Sequence, residues 1–255
     1  MQDFTQSFKR LDSYKMICLL GIIILFPILT KAHSPSIVEV KCPIDGEATF
    51  FIGTGSYCSL DTGKTIEFHA FADLEMHFYG GWNFYKNYIS SCPKCHYSGF
   101  LDDFKIKLPR KERKFLKSYL KKYQSTEITE ELECVIASEI KKQQNKSYRE
   151  IADCYLVASY LLKYDTKKQK ERIEFQEKAL SNFQTAFYSG QCTSRYDSAA
   201  VNYIIAELLR RTSKFEESNF YYQRAINYSL GKTRISSLAI KQREIALEKN
   251  ASNRI

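Results

Sequence analysis

Two cysteine-proline corners, Cys42-Pro43-Ile44-Asp45-Gly46 and Cys92-Pro93-Lys94-Cys95-His96, stand fifty residues apart in a chain of 255. A Cys-Pro-x-Cys corner aims two thiolates at one point, and a tetrahedral Zn²⁺ ion takes four ligands. A fold that uses both corners must bring them face to face across that length of chain. The second corner is complete. The first holds Asp45 where a zinc ribbon has its second cysteine, and zinc accepts a carboxylate oxygen. Cys42, Asp45, Cys92 and Cys95 are therefore the candidate ligands of a structural zinc ion, with Cys58 as an alternative fourth ligand.

The sequence around the corners suits such a closure. Ile37-Val38-Glu39-Val40 leads into the first corner and Ala48-Thr49-Phe50-Phe51-Ile52 leaves it. Thr65-Ile66-Glu67-Phe68 alternates apolar with polar. Tyr88-Ile89-Ser90-Ser91 runs into the second corner and Tyr97-Ser98-Gly99-Phe100 leaves it, so short strands flank both turns. A core this small needs a metal staple or helices behind it.

The rest reads as helices. No proline follows Pro109, which suits the first turn of a helix. Lys114-Phe115-Leu116 with Tyr119-Leu120 has helical spacing, and periodic runs cover about 127–143, 148–164, 168–188, 197–211, 215–229 and 233–248. Ala179-x3-Phe183-x2-Ala186 and Ser218-x3-Tyr222-x2-Ala225 share the spacing of the second helix of a tetratricopeptide unit, with Ala206 and Leu209 placed on a first helix. A generic helical bundle is the simpler alternative. The expected fold class is α+β, mostly α. A small zinc-ribbon-like β module over 33–108 precedes a tetratricopeptide-like antiparallel helical array over 109–250 and a tail at 251–255.

The N-terminal 32 residues read as a separate segment. Residues 16–29 form an unbroken apolar run after a weakly basic leader with Lys9, Arg10 and Lys15. Thr30-Lys31-Ala32 then offers a cleavage site before His33, as in a signal peptide. The run is shorter than the ~20 residues of a spanning helix, and an uncleaved membrane anchor is the alternative. Either reading exports the remainder: periplasmic, secreted or anchored to the envelope. Residues 33–105 carry nine acidic against five basic side chains, whereas residues 106–255 carry 29 Lys/Arg against 18 Asp/Glu. Lys-rich helices commonly have solvated faces, and an acidic protein partner is the second reading of that charge. No nucleic-acid partner is expected of an exported chain.

Beyond Cys18, seven cysteines remain, an odd number that argues against a fully paired disulfide framework. Cys134 and Cys154 fall in helical periodicity, where cysteine behaves as a small hydrophobe, and Cys192 falls in a loop. An oxidising compartment leaves open Cys92–Cys95 or Cys42–Cys58 disulfides. A redox use of Cys92 and Cys95 needs a helix N-terminus after a strand, and this stretch reads as ribbon and turn. His69 and His77, with Glu67, Asp73 and Glu75, are the one concentration of acid–base groups. They lack metalloprotease spacing, and no nucleophile elbow or phosphate loop occurs. Gly80-Gly81-Trp82-Asn83 reads as a turn with a packing anchor. The function expected is an exported or membrane-anchored, non-enzymatic scaffold that binds a protein or peptide on its helical array. An envelope thiol-redox protein or metal-dependent hydrolase, using Cys92/Cys95 or the His69/His77 region, is the alternative.

The two corners, Asp102-Asp103-Phe104 after the second, Ala206-Glu207-Leu208-Leu209-Arg210-Arg211-Thr212 and Phe215-Glu216-Glu217 together resemble a bacterial family known as domain of unknown function 2225. The resemblance spans roughly 38–250. It implies a Cys-Pro-x-Cys-Gly ribbon joined to tetratricopeptide-like helices, with Cys42, Cys92 and Cys95 in ligand places and Asp45 at the fourth. This chain departs from the family at Asp45, at His96 in place of the usual glycine, and in its export signal. The family has no established activity, so the resemblance implies architecture.

Overall fold

The computed structural model describes residues 36–53, 88–163, 165–230, 234–249 and 251. The leader, the apolar run, Thr65–Phe68, Cys58, His33, His69, His77 and Trp82 lie outside them. All but the outer ends of β1 and β2 belong to one unit, Val38–Ile52 with Lys64–Ile255; those ends belong to a second, Met1–Ile37 with Gly53–Gly63.

Two short hairpins come first. Strand β1 (Ser36–Lys41) pairs with β2 (Ala48–Gly53), and β3 (Ile89–Ser91) with β4 (Ser98–Phe100). The second pair is antiparallel, with Ile89 opposite Phe100, Ser90 opposite Gly99 and Ser91 opposite Ser98. Eight α-helices follow among the described residues: α1 (Leu101–Lys105), α2 (Arg110–Tyr119), α3 (Glu130–Gln143), α4 (Tyr148–Leu161), α5 (Gln169–Tyr188), α6 (Arg195–Arg211), α7 (Phe215–Ser229) and α8 (Arg234–Leu247). Single 3₁₀ turns at Leu120–Tyr123 and Thr166–Lys168 extend α2 and open α5. The fold is α+β and mostly α, in agreement with the sequence reading. Helix α1 was not expected, because five residues are too few to show a period. Pro109 is the cap of α2 and not its first turn.

The helix ends follow local chemistry. Thr129 Oγ1 accepts from the Leu132 N–H, and Ser194 Oγ accepts from the Asp197 N–H. Ser147 and Glu150 form a reciprocal capping box at the start of α4. Left-handed residues close several helices: Asn145 after α3, Gly190 after α5, Ser213 after α6 and Leu230 after α7.

Consecutive helices from α3 to α8 pack on one another, and α8 also reaches back to α6. Helix α6 is buried without a break from Ser198 to Arg210, so neighbours surround it. Ala179, Phe183, Ala186, Ser218, Tyr222 and Ala225 are all 0% exposed. Small side chains at these spacings let the helices approach closely while the rings fill the gap between them. The apolar interior falls into two clusters. One runs through α3–α8 and takes in Ile89 of β3. The other joins Cys42, Ile44, Phe51, Cys92, Cys95, Tyr97 and Phe104 to Leu116 and Leu120 after them, and to Ile136 and Ile140 of α3. The ribbon corners and the first helices thus share one interior.

Candidate metal centre

The two corners have the same backbone. In the first, Cys42 N–H donates to Glu47 O at 2.8 Å and Gly46 N–H to Cys42 O at 2.9 Å. In the second, Cys92 N–H donates to Tyr97 O and His96 N–H to Cys92 O, both at 2.9 Å. Pro43 and Pro93 set φ as each turn begins. The fifth residue of each must then turn left-handed: Gly46 has φ +79° and His96 has φ +59°. This explains a glycine at that place, and His96 adopts the same conformation at some cost.

Asp45 occupies in the first corner the place that Cys95 occupies in the second. Cys42 Sγ lies 3.5 Å from Cys95 Sγ, and Cys92 Sγ lies 3.5 Å from Asp45 Oδ1. One donor atom from each of the four residues lies within 4.8 Å of the others. A tetrahedral ion with ligand distances of ~2.3 Å to sulfur and ~2.0 Å to oxygen needs edges of about 3.8 Å between sulfurs and about 3.5 Å from sulfur to oxygen. The Cys42–Cys95 and Cys92–Asp45 separations lie close to those edges, and the four donor atoms are near enough together to hold a metal ion. The cysteines are buried and Asp45 is half-buried.

The electrostatics also suit a cation. Hydrogen bonding from Cys42, then from Cys95, holds the Cys92 thiol far below its ordinary value, as a thiolate. As donor to Cys92, Cys42 is pushed up to about 12, and Cys95 is pushed up chiefly by its bond with Cys42. Three sulfurs in contact cannot all carry charge without a counter-charge, which a divalent ion supplies. The Ile44 N–H points at Cys42 Sγ at 3.4 Å, a donor suited to a ligating thiolate. Among the described residues no disulfide forms, and Cys92 and Cys95 sit in a hairpin turn, not at a helix start.

Three connections fix the corners to the helices. Phe104 of α1 meets Phe51 edge-on with centroids 5.1 Å apart and Tyr97 at 5.2 Å, joining both hairpins. Asp103 accepts from the Phe100 N–H at 2.9 Å and from Lys141 Nζ of α3 at 2.9 Å. Gly99 makes room for this, since a Cβ there would lie 2.8 Å from Asp103 Cβ. Burial pulls the Lys141 ammonium down, but the Asp103 carboxylate, together with Cys154 and Glu150, outweighs it and the net shift is upward. Glu133 of α3 accepts from the Ser91 N–H at 3.1 Å.

Sequence reasoning treated Lys-rich helices as solvated and so missed Lys141, whose side chain is 4% exposed. It quoted Glu207 and Arg210 only as family marks. Both are buried: Arg210 Nη2 and Arg211 Nη2 donate to Glu207 Oε2 at 3.0 and 3.3 Å, and the Tyr222 hydroxyl donates to Glu207 Oε1. Cys134 and Cys154 are buried and donate to the carbonyls four residues back; Cys192 is partly exposed between α5 and α6.

The family described as "Uncharacterized protein conserved in bacteria (DUF2225)" matches residues 69–246, well over half of the chain. The chain belongs to this family. The DUF2225 match takes in Cys92, Cys95, Asp103 and the Glu207–Arg211 stretch, but starts later than the resemblance at 38–250 implied, so Cys42 and Asp45 lie outside it. No curated protein and no solved structure matches the chain. Among the described residues no helix is long and apolar enough to cross a membrane.

Proposed function

We propose that this DUF2225 protein is a non-enzymatic interaction scaffold, exported or membrane-anchored, whose ribbon is closed by a structural zinc ion. The observation that carries the reading is the convergence of Cys42, Asp45, Cys92 and Cys95, from turns fifty residues apart, with one donor atom of each within 4.8 Å of the others. Three soft thiolates with one carboxylate select zinc over magnesium or calcium. Four protein ligands leave no open position for substrate, the mark of a structural site. The helices behind the ribbon supply the surface for a protein or peptide partner. Export rests on the apolar run 16–29 and the small residues before His33.

Metal analysis and thiol counting on the purified chain test this. One zinc per chain, retained by Cys58→Ser and lost or weakened in Asp45→Ala, is the expected result. No metal together with a reversible Cys92–Cys95 bond overturns it, and zinc lost only in Cys58→Ser reassigns the fourth ligand.

A further inference from the structure

Helix α7 buries Ser218, Tyr221, Tyr222 and Ala225 and turns another face outward. Phe220, Gln223, Arg224 and Asn227 line that face at the i, i+3, i+4, i+7 spacing of one helical side. Phe220 is 56% exposed, and Tyr188 beside it on α5 is 64% exposed. The two helices are tied there by a 2.7 Å hydrogen bond between the Tyr188 and Tyr221 hydroxyls.

The Arg224 guanidinium lies in an aromatic cradle. It is 4.5 Å from the Phe187 ring centroid, 5.4 Å from Phe220, and 5.9 Å from both Tyr188 and Tyr221. Such contacts hold the cation and its stem in place. Two further arginines join the face through polar links. Arg243 Nη1 of α8 donates to Gln223 Oε1 at 2.9 Å, Gln223 Nε2 donates to Asn227 Oδ1 at 3.0 Å, and Arg195 Nη2 of α6 donates to Asn227 O at 3.5 Å. Among the described residues none of these three arginines pairs with a carboxylate. Glu216 and Glu217, in the first turn of α7, make no ion pair with Arg224.

We infer that this face of α7, centred on Arg224 and flanked by Arg195 and Arg243, docks an acidic peptide segment. The inference rests on the scaffold reading and names the chemistry of its partner. Charge complementarity carries it: three cations without internal counter-charges sit in a helical half with 29 basic against 18 acidic side chains. Arg224 is already ordered, so pairing its planar fork with a carboxylate costs little further entropy. Single-stranded nucleic acid is the less suited occupant, because Arg224 covers ring faces on which bases would stack.

Fluorescence anisotropy on the full chain tests the inference, with labelled oligoglutamate, oligolysine, a neutral Gln/Ser peptide and oligothymidylate at low and high salt. Zinc is counted on the same preparation, so failure of the metal reading registers separately. Oligoglutamate is expected to bind best and to weaken with salt. Arg224→Gln is expected to weaken it by roughly tenfold and Arg243→Gln or Arg195→Gln by less, with unchanged thermal midpoints. Arg224→Lys, which keeps the charge but loses the fork, falls between and serves if the glutamine variant folds poorly. Equal binding of the neutral peptide overturns the acidic preference and leaves the scaffold reading standing. Tighter oligothymidylate binding, an Arg224→Gln variant that binds as well as the native chain, or no binding of any peptide overturns the inference.

Discussion

The ribbon and the α6–α7 pair both bury charge, by opposite means. At α6–α7 the charges are paired within the chain: Glu207 accepts from both Arg210 and Arg211 within a wall of alanine, leucine and tyrosine. In the ribbon three sulfurs and a carboxylate converge, with no positive side chain among them in the described residues. The first region is a finished apolar interior with a salt network set into it. The second is a cluster that can take its counter-charge from a metal ion. The stability of one should therefore ignore chelators, and that of the other should depend on them.

Metal removal gives the largest contrast. Zinc binding in small ribbon-like peptides is worth on the order of 10 kcal/mol. Chelation, or Cys92→Ser, should therefore abolish amide protection at Cys42, Gly46, Cys92 and His96 while that of α6 and α7 persists. Hydrogen exchange with and without chelator measures this directly. Equal loss in both regions would show that the shared interior with α2 and α3 couples them into one unit.

Glu207→Gln turns the contrast round. Removing the carboxylate takes from Arg210 and Arg211 the buried anion that both pair with, a change that costs about 3–5 kcal/mol. Tyr222→Phe, which deletes one donor to the same carboxylate, should cost about 1 kcal/mol. Denaturant unfolding checks both, and metal content should stay at the native level in each. A fall in zinc on Glu207→Gln would mean that the array and the ribbon do not fold independently.

These expectations mark where the sequence was legible. The repeated spacings at Ala179–Ala186 and Ser218–Ala225 are local, and local periodicity reports which side of a helix is buried. The Cys-Pro corners are equally local, so the place of Asp45 was readable from register with Cys95. Asp103 and Lys141, 38 residues apart, were not readable as a pair. A lysine in a basic helix has the same local signature whether it faces water or a carboxylate, and only the docking of β4 on α3 decides which. Glu207 is similar: a charge inside an apolar helix period looks like a solvated face until two arginines from its own helix and a tyrosine from the next close over it. The role of His96 was visible only as a departure from glycine, since its left-handed backbone is set by the turn as a whole.

Glu133 predicts a smaller, pH-dependent difference on the ribbon side. Burial pushes its carboxyl up to about 7, above its value in the unfolded chain. A raised acid contributes stability in its protonated form, and that contribution is lost as pH rises through about 7. Glu131, Glu139, Glu150 and Asp197 are held below their ordinary values, so their contributions fade only at lower pH. Between about pH 5 and pH 7 the native chain should therefore lose stability as pH rises, levelling off above that, and Glu133→Gln should flatten that slope. Thermal midpoints of the two proteins across that window make the comparison at constant zinc.

The smallest effect sharpens the comparison inside the ribbon itself. Gly46 and His96 fill equivalent positions, and both are left-handed, with φ of +79° and +59°. Glycine enters that region freely, whereas a residue with a Cβ does so at a cost of about 1 kcal/mol. Glycine also loses more backbone entropy on folding, so the two terms oppose each other. His96→Gly should gain a few tenths to about 1 kcal/mol if the strain term wins. The variant should keep its zinc, because His96 contributes a conformation and no ligand to the site. The reverse exchange, Gly46→His, should cost a similar amount, since the turn around Gly46 makes the same two backbone hydrogen bonds. A His96→Gly variant that loses zinc would show that the imidazole supports the second corner in a way its backbone angle does not.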